Sequence, residues 1–249
     1  MLKQSNITEL KRKTVFRIDS SRELRQAGPD DLIRLMPAPG CHSLILPKYI
    51  LEILVYTITG YELCHLSGPS GSAKSSLLEA FSQEAANFRY LCEAMDRPYR
   101  PLRLFPVEMA IFESPGELFQ RRSLKDGSTY DEKSLLVKAL EKASQAGDSA
   151  YPLIWLREIG RVHSAMVQGG LLNLMTRSDV ALPDGQRLDV RKVAWVADSN
   201  YQAEGDSTHT LVTLDDALKR RFTVHLTMDY LTAEQEVQVL QHLSKENWR

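Results

Sequence analysis

Residues 67–76 read Ser-Gly-Pro-Ser-Gly-Ser-Ala-Lys-Ser-Ser, and this stretch decides the fold of the 249-residue chain. The residues before it, 62–66, have the composition of a short buried strand. After it, apolar residues recur at helical spacing, at Leu77, Leu78, Ala80 and Phe81. A strand, a glycine-containing turn, Lys-Ser and a helix are the layout of a phosphate-binding P-loop, in which Gly68 is expected to make the tight turn. A chance Gly/Ser-rich turn before a helix is the alternative.

The loop predicts a nucleotide site. Its backbone N–H groups would point inward at the phosphates, and the dipole of the helix that begins near Lys74 would attract them. Lys74 would reach the β- and γ-phosphates, and the Ser75 hydroxyl would bind Mg²⁺. Ala73 stands where the motif has glycine, and its methyl group restricts the backbone. The predicted nucleotide-binding residues are Gly68, Pro69, Ser70, Gly71, Ser72, Ala73, Lys74, Ser75 and Ser76.

Composition is that of a globular protein, with 43% hydrophobic and 25% charged residues, so one large α/β domain with an appendage fits the length. A net charge of -1 gives no global attraction to nucleic acid or membrane. The apolar segment 49–58 is too short for a membrane span and contains Glu52, so it predicts a buried helix. No apolar run follows the N-terminal Met, and the three cysteines lack metal-type spacing, so we expect a cytoplasmic protein.

Strand-type and helix-type segments alternate along the chain. Alternation of this kind indicates an α/β fold, here a P-loop three-layer αβα sandwich with a parallel central sheet. A β-hairpin is predicted at 180–190, with its turn at Asp184-Gly185. The other predicted strands lie near 102–109, 152–158, 193–197 and 223–228, and the predicted helices at 47–59, 134–145, 171–175 and 232–244.

Two strand ends carry candidate catalytic groups. The apolar run 152–156 ends in Arg157 and Glu158, in the position of the second P-loop ATPase signature. There an aspartate assists Mg²⁺ and the following glutamate orients the attacking water, but Arg157 occupies the aspartate position. A core strand that happens to end in charges is the alternative. The strand 193–197 leads to Asn200, a polar amide placed to sense the γ-phosphate or to hold the water.

Two basic segments have open interpretations. Residues 121–127 form a basic stretch, predicted as an exposed loop that either lines a pore or contacts a partner, or is ordinary solvated surface. Arg220 and Arg221 precede the last strand, where they are either surface charge or an arginine finger for a neighbour's nucleotide.

Together these segments resemble the AAA+ ATPases of the MoxR type, the helix-2-insert group that includes CbbQ, GvpN, midasin, McrB and dynein-related AAA domains. The resemblance covers about residues 47–231. Its motifs are Gly-Pro-Ser-Gly-Ser-Ala-Lys-Ser, Leu-Arg-Glu-Ile-Gly-Arg, the helix and hairpin at 164–191, the strand ending in Asn200, and Ala-Leu-Lys-Arg-Arg-Phe.

The resemblance implies a ring, usually a hexamer, that couples ATP hydrolysis to remodelling or activating a partner protein, as a chaperone does. It implies that Lys74 and Ser75 bind phosphate and Mg²⁺ and that Glu158 is the catalytic glutamate. It makes Asn200 the γ-phosphate sensor and Arg221 the arginine finger, with Arg220 beside it. The expected domains are an extension and linker at 1–42, the ATPase core at 43–230, and at 231–249 the start of a helical lid that is truncated or continues in a longer chain.

Three functions follow. The first is an active AAA+ ATPase that remodels an unidentified client. The second is a nucleotide-binding interaction subunit with little hydrolysis, because Arg157 would repel Mg²⁺ or pair with a carboxylate or with a phosphate oxygen. This predicts slow turnover, retained ATP binding and a gain of turnover in Arg157→Asp. The third is a nucleic-acid-linked motor of the McrB type, which the near-neutral charge disfavours. ATP is preferred over GTP only from the family's majority behaviour.

Overall fold

The computed structural model describes residues 16–17, 32–36, 44–125, 127–146, 148–162, 164–176, 178–200 and 214–246. Residues 37–43 lie outside these ranges, so the boundary predicted at residue 42 between the linker and the ATPase core stays a prediction. The strands are β1 (Phe16–Arg17), β2 (Leu32–Leu35), β3 (Leu44–Pro47), β4 (Leu63–Gly68), β5 (Leu102–Glu108), β6 (Gln120–Lys125), β7 (Ser128–Lys133), β8 (Tyr151–Arg157), β9 (Asp179–Ala181), β10 (Arg187–Asp189), β11 (Ala194–Asn200) and β12 (Val224–Thr227). The α-helices are α1 (Lys48–Thr59), α2 (Lys74–Gln83), α3 (Ala85–Ala94), α4 (Leu135–Ser144), α5 (Ala165–Leu174), α6 (Asp216–Arg221) and α7 (Ala233–Glu246).

The central sheet is parallel, with strand order β1-β12-β4-β11-β8-β5. Its inner strands β8 and β11 are buried along nearly their whole length, because helices cover both faces, and only the last three residues of β11 and Arg157 of β8 are polar. One face packs against α1, α2 and α3, and the other against α4, α5 and α6. The predicted three-layer α/β sandwich is confirmed.

Parallel pairing brings the carboxyl ends of the strands to one edge of the sheet. The β11–β4 register places Asn200 opposite Gly68, and the β5–β8 register places Glu108 opposite Arg157. The loop that follows β4 leads directly into α2 at the same edge. This edge therefore collects the predicted P-loop and both predicted strand-end groups, as expected for a parallel α/β sheet.

The prediction of a loop at 121–127 is wrong. Residues 121–125 form most of β6, which pairs antiparallel with β7 in a hairpin, and Gly127 has φ 78° just before β7. The register sets Arg121 opposite Glu132 and Arg122 opposite Asp131, so cross-strand charge pairs support a ribbon that is mostly exposed. An apolar/polar alternation marks half-buried strands, and this hairpin lacks one because neither face enters the core.

The hairpin predicted at 180–190 is confirmed as β9 and β10, paired antiparallel, with Gly185 at φ 83° in the turn. Strands β2 and β3 also pair antiparallel, and Asn87 of α3 bonds to Met36, the residue that follows β2. The Asn87 side chain accepts a hydrogen bond from Met36 N (2.7 Å) and donates one to Met36 O (2.9 Å). Helix α1 is buried against the sheet as predicted, and among the described helices none has the length and apolar character to span a membrane.

Candidate functional site

Gly68 ends β4, and its lack of a side chain is a steric requirement. A Cβ atom here would lie 2.1 Å from the Met228 carbonyl oxygen and 2.8 Å from Ser72 Oγ. The prediction that Gly68 itself makes the tight turn is therefore wrong. Gly68 is the last residue of the strand, and the positive φ angles come later, at Gly71 (79°) and Ala73 (67°). The chain needs glycine at 68 because the segment after β12 approaches so closely.

Ala73 has a left-handed backbone, with φ 67° and ψ 18°, and immediately precedes α2. Its carbonyl oxygen accepts the hydrogen bond of Leu77 N at 3.0 Å, so this backbone geometry starts the helix. A non-glycine residue in this region costs roughly 1–2 kcal/mol. The backbone restriction predicted for Ala73 is therefore present as local strain, and the loop nevertheless connects the strand to the helix as a P-loop does.

The Lys74 ammonium is folded into the loop, and the residue is 5% exposed. Nζ donates to Gly68 O (3.0 Å), Pro69 O (2.8 Å) and Ser72 Oγ (3.2 Å), all of them neutral acceptors. Burial lowers the pKa of Lys74, while the nearby carboxylates of Asp198 and Glu158 raise it. A desolvated cation held by neutral oxygens at a helix N-terminus has the character of an anion site.

The rest of the loop is arranged around this amine. Pro69 and Ser72 are buried, and Ser70 and Gly71 are exposed. Tyr230 donates its hydroxyl hydrogen bond to Ser70 O at 2.7 Å, so the segment after β12 also contacts the loop's outer side. Ser75 and Ser76 lie in the first turn of α2, half-buried and exposed respectively.

Glu158 follows β8 directly and has a left-handed backbone, with φ 52° and ψ 49°. Its carboxylate forms an ion pair with Arg161, at 3.2 Å between Oε2 and Nη1. Backbone strain of this kind at a strand end is typical of functional sites and costs of order 1–3 kcal/mol. The predicted catalytic glutamate lies close enough to Lys74 for its charge to raise the pKa of that amine, and a neighbouring arginine holds its carboxylate.

Arg157 is directed along the sheet edge towards β5. Its Nη1 lies 3.7 Å from Glu108 Oε2, and its guanidinium carbon lies 4.8 Å from the centre of the Trp155 ring. Of the possibilities predicted for this arginine, which were repulsion of a metal and pairing with a carboxylate or with a phosphate oxygen, the structure shows the pairing with a carboxylate.

Asp198, which the sequence did not single out, is the most buried acid at this edge, with 3% exposed. Its Oδ1 accepts a hydrogen bond from Trp155 Nε1 at 2.5 Å, and its carboxylate also accepts one from the Glu158 N–H. Burial raises the pKa of Asp198, while these two donors and the Lys74 charge oppose the increase. The only sequence signal was its place between a buried strand and Asn200.

The predicted residues divide into two groups. The structure brings the loop 68–76, Glu158 and Asn200 to the same sheet edge. It places Arg220 and Arg221 elsewhere, exposed in the last turn of α6, and within the described residues neither bonds to the loop. Their positive charges favour the helix C-terminus.

The family model of the AAA domain (dynein-related subfamily) matches residues 64–222. Of the solved structures that match, a candidate ATPase from Cytophaga hutchinsonii is 18% identical, with a TM-score of 0.49; the match covers 81% of this chain and 52% of that one. The chain thus spans about half the length of that protein. The curated proteins include no match.

Proposed function

Because the chain belongs to the dynein-related subfamily of AAA domains, we propose that it binds ATP with Mg²⁺ on the loop 68–76. Binding and slow hydrolysis would drive the remodelling or activation of a partner protein, as in the MoxR type. The observation that supports the nucleotide site most is Lys74, an ammonium buried among neutral loop oxygens at the start of α2.

The donor set fits a polyphosphate. Lys74 Nζ would exchange loop carbonyls for phosphate oxygens, and the first turn of α2 offers unpaired backbone N–H groups. One lysine does not balance a polyphosphate, and Mg²⁺ supplies the remaining positive charge when it is bound. Within the described residues no group of three or more His, Cys, Asp or Glu could hold a metal ion. The cation is therefore proposed to bind jointly to the Ser75 hydroxyl and the phosphates.

Hydrolysis would use Glu158 as the base that polarises the attacking water and Asn200 as the residue that contacts the γ-phosphate. Glu158 first has to leave Arg161, its present partner. Asn200 is well placed because its register partner is Gly68, the last residue of β4 before the loop. Arg157 supports a slow rate, since it stands where the family has an acid.

We further propose that the chain works as a homo-oligomeric ring, a hexamer by family resemblance. Arg220 and Arg221 support this, because they are exposed and do not bond to the described residues of their own chain's loop. An arginine supplied by a neighbouring subunit would complete the site. The alternative of a hydrolysis-deficient binding subunit is favoured by the Arg157–Glu108 pair, which keeps a cation at the end of β8.

Equilibrium binding of a fluorescent ATP analogue tests the site. Lys74→Ala should weaken binding about tenfold or more, because one charge-assisted contact is lost. Lys142→Ala, which removes an exposed lysine from α4, should bind like the parent. Equal affinity of Lys74→Ala and parent would overturn the proposed function. Phosphate release then separates an active ATPase from a binding subunit.

A further inference from the structure

Near the carboxyl ends of β11 and β8, one charged side chain from each strand lies on the face of the sheet that α2 covers. On β11, Ala194 and Val196 pack in the core with α1 to α3, whereas Trp195 and Ala197 pack on the other face. Side chains alternate along a strand, so Asp198 continues the α2 face. On β8, Trp155 lies on that same face, and Arg157 continues it.

These two residues are neighbours at the sheet edge. The β11–β8 register pairs Ala197 with Leu156, so Asp198 and Arg157 are the next residues along their strands. Glu108 is the partner of Arg157 on the far side. Across β11, β8 and β5, this edge of the sheet therefore carries an acidic, a basic and an acidic side chain: Asp198, Arg157 and Glu108. Strand β11 lies beside the P-loop strand β4.

The contacts of Arg157 leave Asp198 available. The guanidinium lies over Trp155 and pairs with Glu108, on the side of β8 remote from β4. The Trp155 N–H and the Glu158 N–H hold the Asp198 carboxylate in one orientation. A buried carboxylate fixed by two neutral donors keeps its affinity for a cation, since neither donor neutralises it.

We propose that Asp198 is the carboxylate of the Mg²⁺ site, supplying from β11 the negative charge that Arg157 excludes from the end of β8. It would act together with the Ser75 hydroxyl and the phosphates. The inference rests on the proposed function, because the cation binds with the nucleotide. With Asp198 in this role, the chain would bind Mg²⁺ although arginine occupies the strand-end position where related ATPases have aspartate.

Asp198→Asn tests the proposal, because asparagine keeps the shape and the acceptor for Trp155 but removes the charge. The measurement is the affinity for a fluorescent ATP analogue, with Mg²⁺ and with EDTA. We expect the Mg²⁺/EDTA affinity ratio to fall about tenfold, and the affinity in EDTA to hold or rise because repulsion of the phosphates is relieved. An unchanged ratio, including equal losses under both conditions, would overturn the proposal and indicate a structural role.

Two double variants sharpen the test. Asp198→Asn with Arg157→Asp returns a carboxylate to β8 on the same face, and we expect the Mg²⁺/EDTA ratio to recover. Asp198→Asn with Arg157→Gln removes the guanidinium without adding an acid, and should not recover it. If the two double variants behave alike, the exchange of roles between the strand ends is wrong. A parent protein without nucleotide affinity would instead refute the proposed function itself.

Discussion

Arg157 Nη1 and Glu108 Oε2 lie 3.7 Å apart, as direct register partners on β8 and β5. The two side chains are 40% and 38% exposed, so the pair contributes at most about 1 kcal/mol to stability. The pair matters because it holds the Arg157 guanidinium on the side of β5, away from the P-loop strand β4. This position determines what a substitution at 157 will do.

Arg157→Asp should raise Mg²⁺-dependent turnover, because an acid returns to the strand end where the family carries one. The new carboxylate also faces Glu108 and Asp198, and this like-charge contact limits the gain. The measurement is steady-state phosphate release at saturating ATP and varied Mg²⁺, with Arg157→Gln as the control. Turnover in the parent at a rate typical of ring ATPases, with no increase in Arg157→Asp, would show that residue 157 is outside the cation site.

Ala73→Gly should stabilise the fold by up to about 1 kcal/mol. Glycine adopts φ 67° without the steric cost that alanine bears, although its more flexible unfolded chain offsets part of the gain. Ala94→Gly, at the exposed last residue of α3, should instead destabilise slightly, by less than the roughly 1 kcal/mol that glycine costs in a helix interior. Urea unfolding of both variants checks this. Destabilisation of similar size in both would mean that the strain at 73 is negligible.

His65 should make stability fall in mild acid. It lies in β4, where its Nε2 is 2.8 Å from Ser199 Oγ, and burial, followed by the charges of His225 and Lys219, lowers its pKa from 6.5 to about 4. The unfolded chain therefore takes up a proton below about pH 6.5 that the folded chain refuses until about pH 4. The contribution of neutral His65 to the free energy of unfolding is therefore complete above about pH 6.5. It is lost progressively as the pH falls from about 6.5 to about 4, and it changes no further below that.

The expected loss between neutral pH and about pH 5 is about 2 kcal/mol, from linkage. His65→Gln retains a polar partner for Ser199 but does not titrate. Its unfolding free energy should therefore depend less on pH than that of the parent by about this amount. Denaturant unfolding at the two pH values measures the difference. Parallel pH profiles would show that His65 is protonated in the folded protein.

Turnover should depend on assembly. Phosphate release per subunit should rise with protein concentration, and Arg221→Ala should lower it by up to about 10³-fold while leaving nucleotide affinity nearly unchanged. Arg103→Ala, which removes an exposed arginine from β5, is the matched control. A concentration-independent rate in the parent would contradict a trans arginine.

Local patterns predicted most of this fold, and contacts between distant segments were out of reach. The strand, loop and helix around Lys74 and the turn at Asp184-Gly185 depend on neighbouring residues, so the sequence displays them. Trp155 and Asp198 meet only because β8 and β11 pair in one register. By alternation Asp198 and Asn200 both face α2, but nothing local states that the Asp198 carboxylate meets Trp155 of β8, and Asp198 was missed for that reason.

The contact at Gly68 restricts how this protein can evolve. Any other amino acid there places a carbon atom 2.1 Å from the Met228 carbonyl, and Met228 N is itself bonded to Ser67 O at 2.8 Å. A lineage that replaces this glycine must therefore shift the end of β12 in the same step, which single substitutions rarely achieve. Position 68 is thus closed to gradual change, whereas position 73 already carries a methyl group.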